Sequence, residues 1–244
     1  MDILANKVVL ITGGGSGIGL ATARGFLEAG ARVAITGRNE AKLLAAAATL
    51  GGGDRLLSQT ADVSQPDQVQ ALVRRVTDAF GPIDILVNNA GTNIKRRAMR
   101  ELTPESWQLL IRSNLDGAFY CIHAVLPRML ERRDGLIINI VSTSGKRAGP
   151  LGGAAYAASK FGMHALGICL AAEERESGIR VSNIYPGEVD TPILEARPQA
   201  VTQAQRAQML QPEDVAAAVL FVARLPPRVS VPELVIKPTT QLYI

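Results

Sequence analysis

The chain has 244 residues, 47% hydrophobic and 20% charged, proportions of a globular domain that exclude disorder and a collagen-like fibre. The balance of 26 Lys and Arg against 22 Asp and Glu gives a net charge of +4. With aromatics at only 4% and no zinc-finger, RNA-recognition or basic-zipper pattern, a nucleic-acid partner is a poor fit.

At roughly 150 residues per domain, the length suits one α/β domain over residues 1–244 better than two full-sized ones. The opening segment has no charged stretch leading into a long apolar run and a small-residue cleavage site, so it is expected to form the first strand, not a signal peptide. No apolar run approaches the ~18 residues of a membrane span, and no membrane partner is expected. Strands are predicted at residues 7–12, 32–36, 55–60, 84–87, 135–141, 180–184 and 232–236. Helical periodicity fills the intervals at about 17–29, 39–50, 66–80, 104–132, 155–177 and 212–224. The runs Val8-Val9-Leu10-Ile11 and Leu136-Ile137-Ile138 read as strands covered on both faces. The alternation predicts βαβ units with right-handed crossovers and a parallel sheet. Pro66, Pro104 and Pro212, each followed by an acid, mark helix starts. Cys121 and Cys169 fall within helices, so no disulfide framework is expected; both are predicted to be buried thiols, and a reducing cytoplasm is the natural compartment. His123 and His164 lack ligand spacing, and no metal site is predicted.

The first strand runs into Thr12-Gly13-Gly14-Gly15-Ser16-Gly17-Ile18-Gly19 and then a helix. Glycines in such a turn let backbone approach a pyrophosphate that the helix N-terminus stabilises through its unpaired N–H groups and dipole. Gly13, Gly17 and Gly19 give G-x-x-x-G-x-G, and no Gly-Lys-Ser/Thr follows, which excludes a P-loop. After the second strand an NAD site would normally offer an acid to the ribose 2′-OH, whereas this chain has Gly37-Arg38. An arginine fork pairs with a 2′-phosphate, so NADP(H) is predicted ahead of NAD(H).

Further motifs follow in order: Asn88-Asn89-Ala90-Gly91, Asn114, Ser142, Tyr156-Ala157-Ala158-Ser159-Lys160, and Pro186-Gly187 with Thr191. Together with the glycine turn, they resemble the short-chain dehydrogenase/reductase family over nearly the whole chain. The resemblance implies a single-domain Rossmann fold with a seven-stranded parallel sheet in the order 3-2-1-4-5-6-7. It also implies a homodimer or homotetramer. Tyr156 and Lys160 share a helix face, and a nearby ammonium favours the phenolate of a group whose free pKa is ~10. Tyr156 is thus expected to be the acid or base for the substrate oxygen during hydride transfer. By resemblance, Lys160 also holds the nicotinamide ribose, Ser142 orients the substrate oxygen and Asn114 supports a relay water. Ser144 is the alternative serine; Ser142 and Tyr156 are separated by fourteen positions, one more than the family spacing, and the extra residue is expected in the 149–153 loop. The resemblance further assigns Asp62-Val63 to the adenine, Asn89-Ala90-Gly91 to its ribose, and Val189 and Thr191, after Pro186-Gly187, to the carboxamide, alongside Gly13, Gly15, Ser16, Gly17, Ile18 and Gly19 at the pyrophosphate.

Residues 193–211 are short and polar, which suggests a small lid over a small polar substrate. Lys95, Arg96, Arg97, Arg100, Lys146 and Arg147 are either solvated loop charge or a means of steering an anionic substrate such as a hydroxy acid. The ending at 231–239 lacks the family's common glycine pair and resembles members acting on small hydroxy acids or β-hydroxy amino acids. Two other readings stay open: a dinucleotide-sensing protein without turnover, and an NAD-dependent member of the same family.

Overall fold

A computed structural model describes residues 2–242. Seven parallel strands form one sheet in the order β3-β2-β1-β4-β5-β6-β7: β1 Val8–Thr12, β2 Arg32–Gly37, β3 Leu56–Thr60, β4 Ile85–Asn88, β5 Gly135–Ile140, β6 Ile179–Pro186 and β7 Glu233–Ile236. This is the Rossmann order expected from the sequence. Successive residues of a strand point to opposite faces. Val9 and Ile11 accordingly pack with α1 (Gly17–Glu28), α2 (Glu40–Leu50) and α8 (Pro212–Arg224), while Val8 and Leu10 pack with α3 (Pro66–Phe80), α5 (Gly117–Arg132) and α6 (Ala154–Glu173).

The predicted helix starts have physical stops. Thr103 caps α4 (Pro104–Ile111) by accepting from the Ser106 N–H at 3.2 Å, and Asn39 caps α2 by accepting from Lys42 N–H at 2.8 Å. The helix predicted over 104–132 is two helices, because residues Arg112–Asp116 form a π-turn between α4 and α5. A hydrophobic period cannot reveal one inserted residue, yet the insertion turns Ser113 and Asn114 inward. Helix α6 stops at Glu173, short of the predicted 177, and the chain then turns at Gly178, whose φ is +80°. Within the predicted lid lie a 3₁₀ turn, Pro192–Ala196, and α7, Gln203–Arg206.

Strand register places Asn88, Asn139 and Asn183 side by side, and their amides form a buried ladder, Asn88 donating to Asn139 at 3.0 Å and Asn139 to Asn183 at 2.9 Å. The ladder ties together the three strands whose C-terminal ends carry the site. Cys121 is buried, with its thiol pushed up to about 12 by desolvation, but Cys169 is exposed because it faces outward from α6. Among the described residues, no helix is long and apolar enough to cross a membrane, and no group of three or more His, Cys, Asp or Glu gathers as a set of metal ligands.

Candidate active site

A cavity of about 930 Å³ opens at the C-terminal ends of β1, β4, β5 and β6, the side where doubly wound sheets bind ligands. At one end, the Thr12 hydroxyl accepts from the N–H groups of Asn89 at 3.0 Å and Ala90 at 2.9 Å. Asn89 answers by donating its amide to Thr12 O at 2.9 Å and Gly13 O at 3.2 Å, so its side chain braces the turn. Gly13 has φ +66°, and a Cβ at Gly19 would stand 2.4 Å from Gly13 O; the first helix packs directly on the turn it follows. Sequence reasoning selected Gly15 and passed over Gly14. A Cβ at Gly14 would lie 2.6 Å from Ile35 Cβ, whereas one at Gly15 meets nothing nearer than 3.8 Å. Ser16 stands at the N-cap of α1 without making a side-chain capping bond, and it lines the cavity.

Of the residues singled out from sequence, Gly13, Ser16, Gly17, Ile18, Asn89, Ala90, Gly91, Ser142, Tyr156, Lys160, Pro186, Gly187, Val189 and Thr191 line this one cavity. Gly15, Gly19, Arg38, Asp62, Val63 and Asn114 are absent from its wall. Val63 is buried against Gly117, and the Asp62 carboxylate accepts from Ser64 N–H at 2.9 Å. Arg38 is exposed just beyond β2. Lys42, not foreseen, lines the cavity from the first turn of α2. A turn with no room for a side chain at Gly13, Gly14 or Gly19, an unengaged serine at a helix N-terminus and cations at the β2 end fit a dinucleotide with an added phosphate.

At the other end, Tyr156 stands in the first turn of α6 and lines the cavity with Ser142. Ser142 follows β5 with φ +152°, a strained conformation for a non-glycine residue, and its Oγ accepts from the Ser144 N–H at 3.0 Å. In the loop leading into α6, Gly152 and Gly153 N–H both donate to Gly149 O, at 3.2 and 3.1 Å. Asn114 projects from the π-turn and clamps a peptide. Its Oδ1 accepts from Thr92 N–H at 2.7 Å, and its Nδ2 donates to Thr92 O at 3.0 Å and Ser159 Oγ at 3.1 Å. Ser159 in turn donates to Tyr156 O at 2.7 Å. The Asn114 amide therefore has both N–H groups committed and acts here by fixing the loop after β4 and the start of α6.

Lys160 is 4% exposed, donates to Ile140 O at 2.8 Å and pairs with no carboxylate among the described residues, so burial pushes its ammonium down to about 7. Its Nζ lies 5.9 Å from the Tyr156 ring centroid. Burial raises the Tyr156 phenol, while the Ser142 side chain and the charge of Arg97 pull it back. The sequence assigns that electrostatic duty to Lys160; in the folded chain the charge that bears on the phenol is that of Arg97. The lid is held down by ions: Arg197 pairs with Glu188 at 2.6 Å, and Arg206 pairs with Asp190.

The family model for short chain dehydrogenases matches residues 7–202. An uncharacterized oxidoreductase of Staphylococcus saprophyticus is 36% identical over 237 residues, covering 96% of this chain and 98% of that one. The closed form of a serine dehydrogenase complexed with NADP+ superposes with a TM-score of 0.89 at 33% identity, over 97% of this chain and 96% of that one. A 3-ketoacyl-(acyl-carrier-protein) reductase from Brucella melitensis complexed with NADH gives 0.87 at 31%, over 96% and 98%. This chain belongs to the short-chain dehydrogenase/reductase family of oxidoreductases.

Proposed function

We propose that the protein is an NADP(H)-dependent dehydrogenase or reductase acting on a small polar alcohol or its carbonyl, a hydroxy acid or polyol, with Tyr156 as acid and base. The observation that carries this reading is the meeting of Tyr156, Ser142 and Lys160 in one wall of the cavity that the glycine turn opens. A bound nicotinamide supplies the hydride donor or acceptor. Tyr156 gives its proton to the substrate oxygen in reduction and removes it in oxidation, and Ser142 holds that oxygen in line with the phenol. Lys160, an amine poised near 7, exchanges charge readily at neutral pH and hydrogen-bonds the nicotinamide ribose. Gly13, Ser16, Gly17 and Ile18 hold the pyrophosphate, and Val189 and Thr191 the carboxamide.

Arg38 and Lys42 support the choice of NADP(H), because a 2′-phosphate at the β2 end meets two cations and no carboxylate in the Gly37-Arg38-Asn39 turn. The serine dehydrogenase complexed with NADP+ is consistent with this choice; the reductase complexed with NADH shows that the fold alone does not make it. A fluorescence titration tests the assignment. NADPH should bind at least about tenfold more tightly than NADH, and Arg38→Ala should weaken NADPH by about 30-fold while NADH changes by less than about threefold. Equal losses for both cofactors would remove Arg38 from the phosphate site. The protein is expected to work in the cytoplasm as a homodimer or homotetramer.

A further inference from the structure

The six cations on the substrate side are not equivalent. Lys95, Arg96, Arg100 and Arg147 are exposed, and Lys146 binds Glu233 at 2.7 Å. Arg97 alone is buried, 7% exposed, and it lines the cavity with Tyr156, Ser142 and Asn93. Three loops hold its guanidinium by main-chain carbonyls: Nε donates to Ile94 O at 2.7 Å, Nη1 to Leu151 O at 2.8 Å and Nη2 to Ala196 O. The loop leading into α6 is shaped around it, since Gly153 has φ +82° and a Cβ there would stand 2.8 Å from Arg97 Cβ.

Carbonyls satisfy hydrogen bonds but bring no countercharge. Arg97 forms no ion pair among the described residues; of the two groups whose charge bears on it, Arg197 is of like sign and itself paired with Glu188, and Tyr156 offers a countercharge only as the phenolate. A guanidinium has five N–H groups, so three carbonyls leave two for a ligand. A buried cation without a partner is costly, and a carboxylate arriving at those two donors would relieve that cost. The other charges on this side of the cavity wall lean the same way, with Lys95, Arg147 and Arg197 set against Glu188 and Glu195.

We infer that Arg97 is the carboxylate anchor of the active site: the substrate is a short hydroxy acid or oxo acid, held at Arg97 with its carbinol or carbonyl carbon at Tyr156 and Ser142. The inference rests on the redox reading above and narrows its substrate to acids. Because Arg97 also bonds Ala196 in the lid and Leu151 before α6, the anchor sits where three substrate-side loops meet.

The test compares short 2-oxo and 3-oxo acids with their methyl esters as substrates for NADPH oxidation by the wild type, Arg97→Gln and Arg97→Lys. Calorimetry of isobutyrate, an unreactive acid, with the NADP+-saturated protein accompanies it. The wild type should favour acid over ester by at least about 30-fold in kcat/KM. Arg97→Gln should lose about 100-fold on the acid and less than about threefold on the ester, and bind isobutyrate at least about tenfold more weakly. Arg97→Lys keeps the charge and should retain a preference for the acid. A wild type indifferent to acid and ester overturns the proposal, even if Arg97→Gln fails to fold. So does an equal loss on both substrates, which would make Arg97 only a tie between loops. If no substrate turns over, the redox reading fails separately, and the isobutyrate titration of wild type against Arg97→Lys and Arg97→Gln still decides whether this arginine holds a carboxylate.

Discussion

The two ends of the cleft are built from different materials. At the dinucleotide end, backbone does the shaping: Gly13, Gly14 and Gly19 let chain lie on chain, and the side chains that matter, Thr12 and Asn89, spend their hydrogen bonds on that backbone. At the substrate end, loops are tied by ions and by a buried arginine, with Arg97 on three carbonyls, Arg197 on Glu188 and Arg206 on Asp190. A backbone cradle is rigid and suits a ligand shared by many enzymes. Ion-tied loops can change partners one residue at a time, and they suit the part of the site that chooses a substrate.

The sharpest way to break this contrast is a methyl group. Gly19→Ala should lower Tm by about 5 °C and weaken dinucleotide binding by at least about tenfold, because its Cβ has 2.4 Å to Gly13 O. Gly15→Ala, four residues earlier, should leave Tm within about 1 °C, since its nearest contact is 3.8 Å. Thermal melts and NADPH titrations of the two variants check both statements, and equal damage from the two would contradict the cradle. A smaller effect belongs to the buried cations. Lys160 is held near 7 in the folded chain against 10.5 for an ordinary lysine. Between these values the unfolded chain holds a proton that the folded chain lacks, so this contribution to stability rises with pH across the window, and the burial penalty is fully felt below 7. Melts of the cofactor-free protein from pH 6 to 9 should show Lys160→Met with a flatter slope than the wild type and a higher Tm at the acid end.

The same contrast explains what could be read from the sequence. All seven strands were legible, as buried parallel strands are near-continuous apolar runs with glycine and proline between them. Tyr156, Lys160, Ser142 and the glycine turn were legible as spaced motifs, and the structure brings them to one cavity. The π-turn was not, because one inserted residue barely disturbs a helical period; yet it is what aims Asn114 at the Thr92 peptide. Arg97 appeared only as one cation in a basic run, since burial depends on loops 54 and 99 residues away in the chain. Gly14 was indistinguishable from Gly15 until Ile35 of the neighbouring strand was in place.

If the two ends of the cleft serve one reaction, it is centred on the Tyr156 hydroxyl. Its most direct test measures NADPH binding and single-turnover reduction side by side in the wild type and Tyr156→Phe, a change that removes one oxygen. Tyr156→Phe should keep NADPH affinity within about twofold of wild type and lower the rate by about 1,000-fold. Reduction at a wild-type rate in Tyr156→Phe would contradict it.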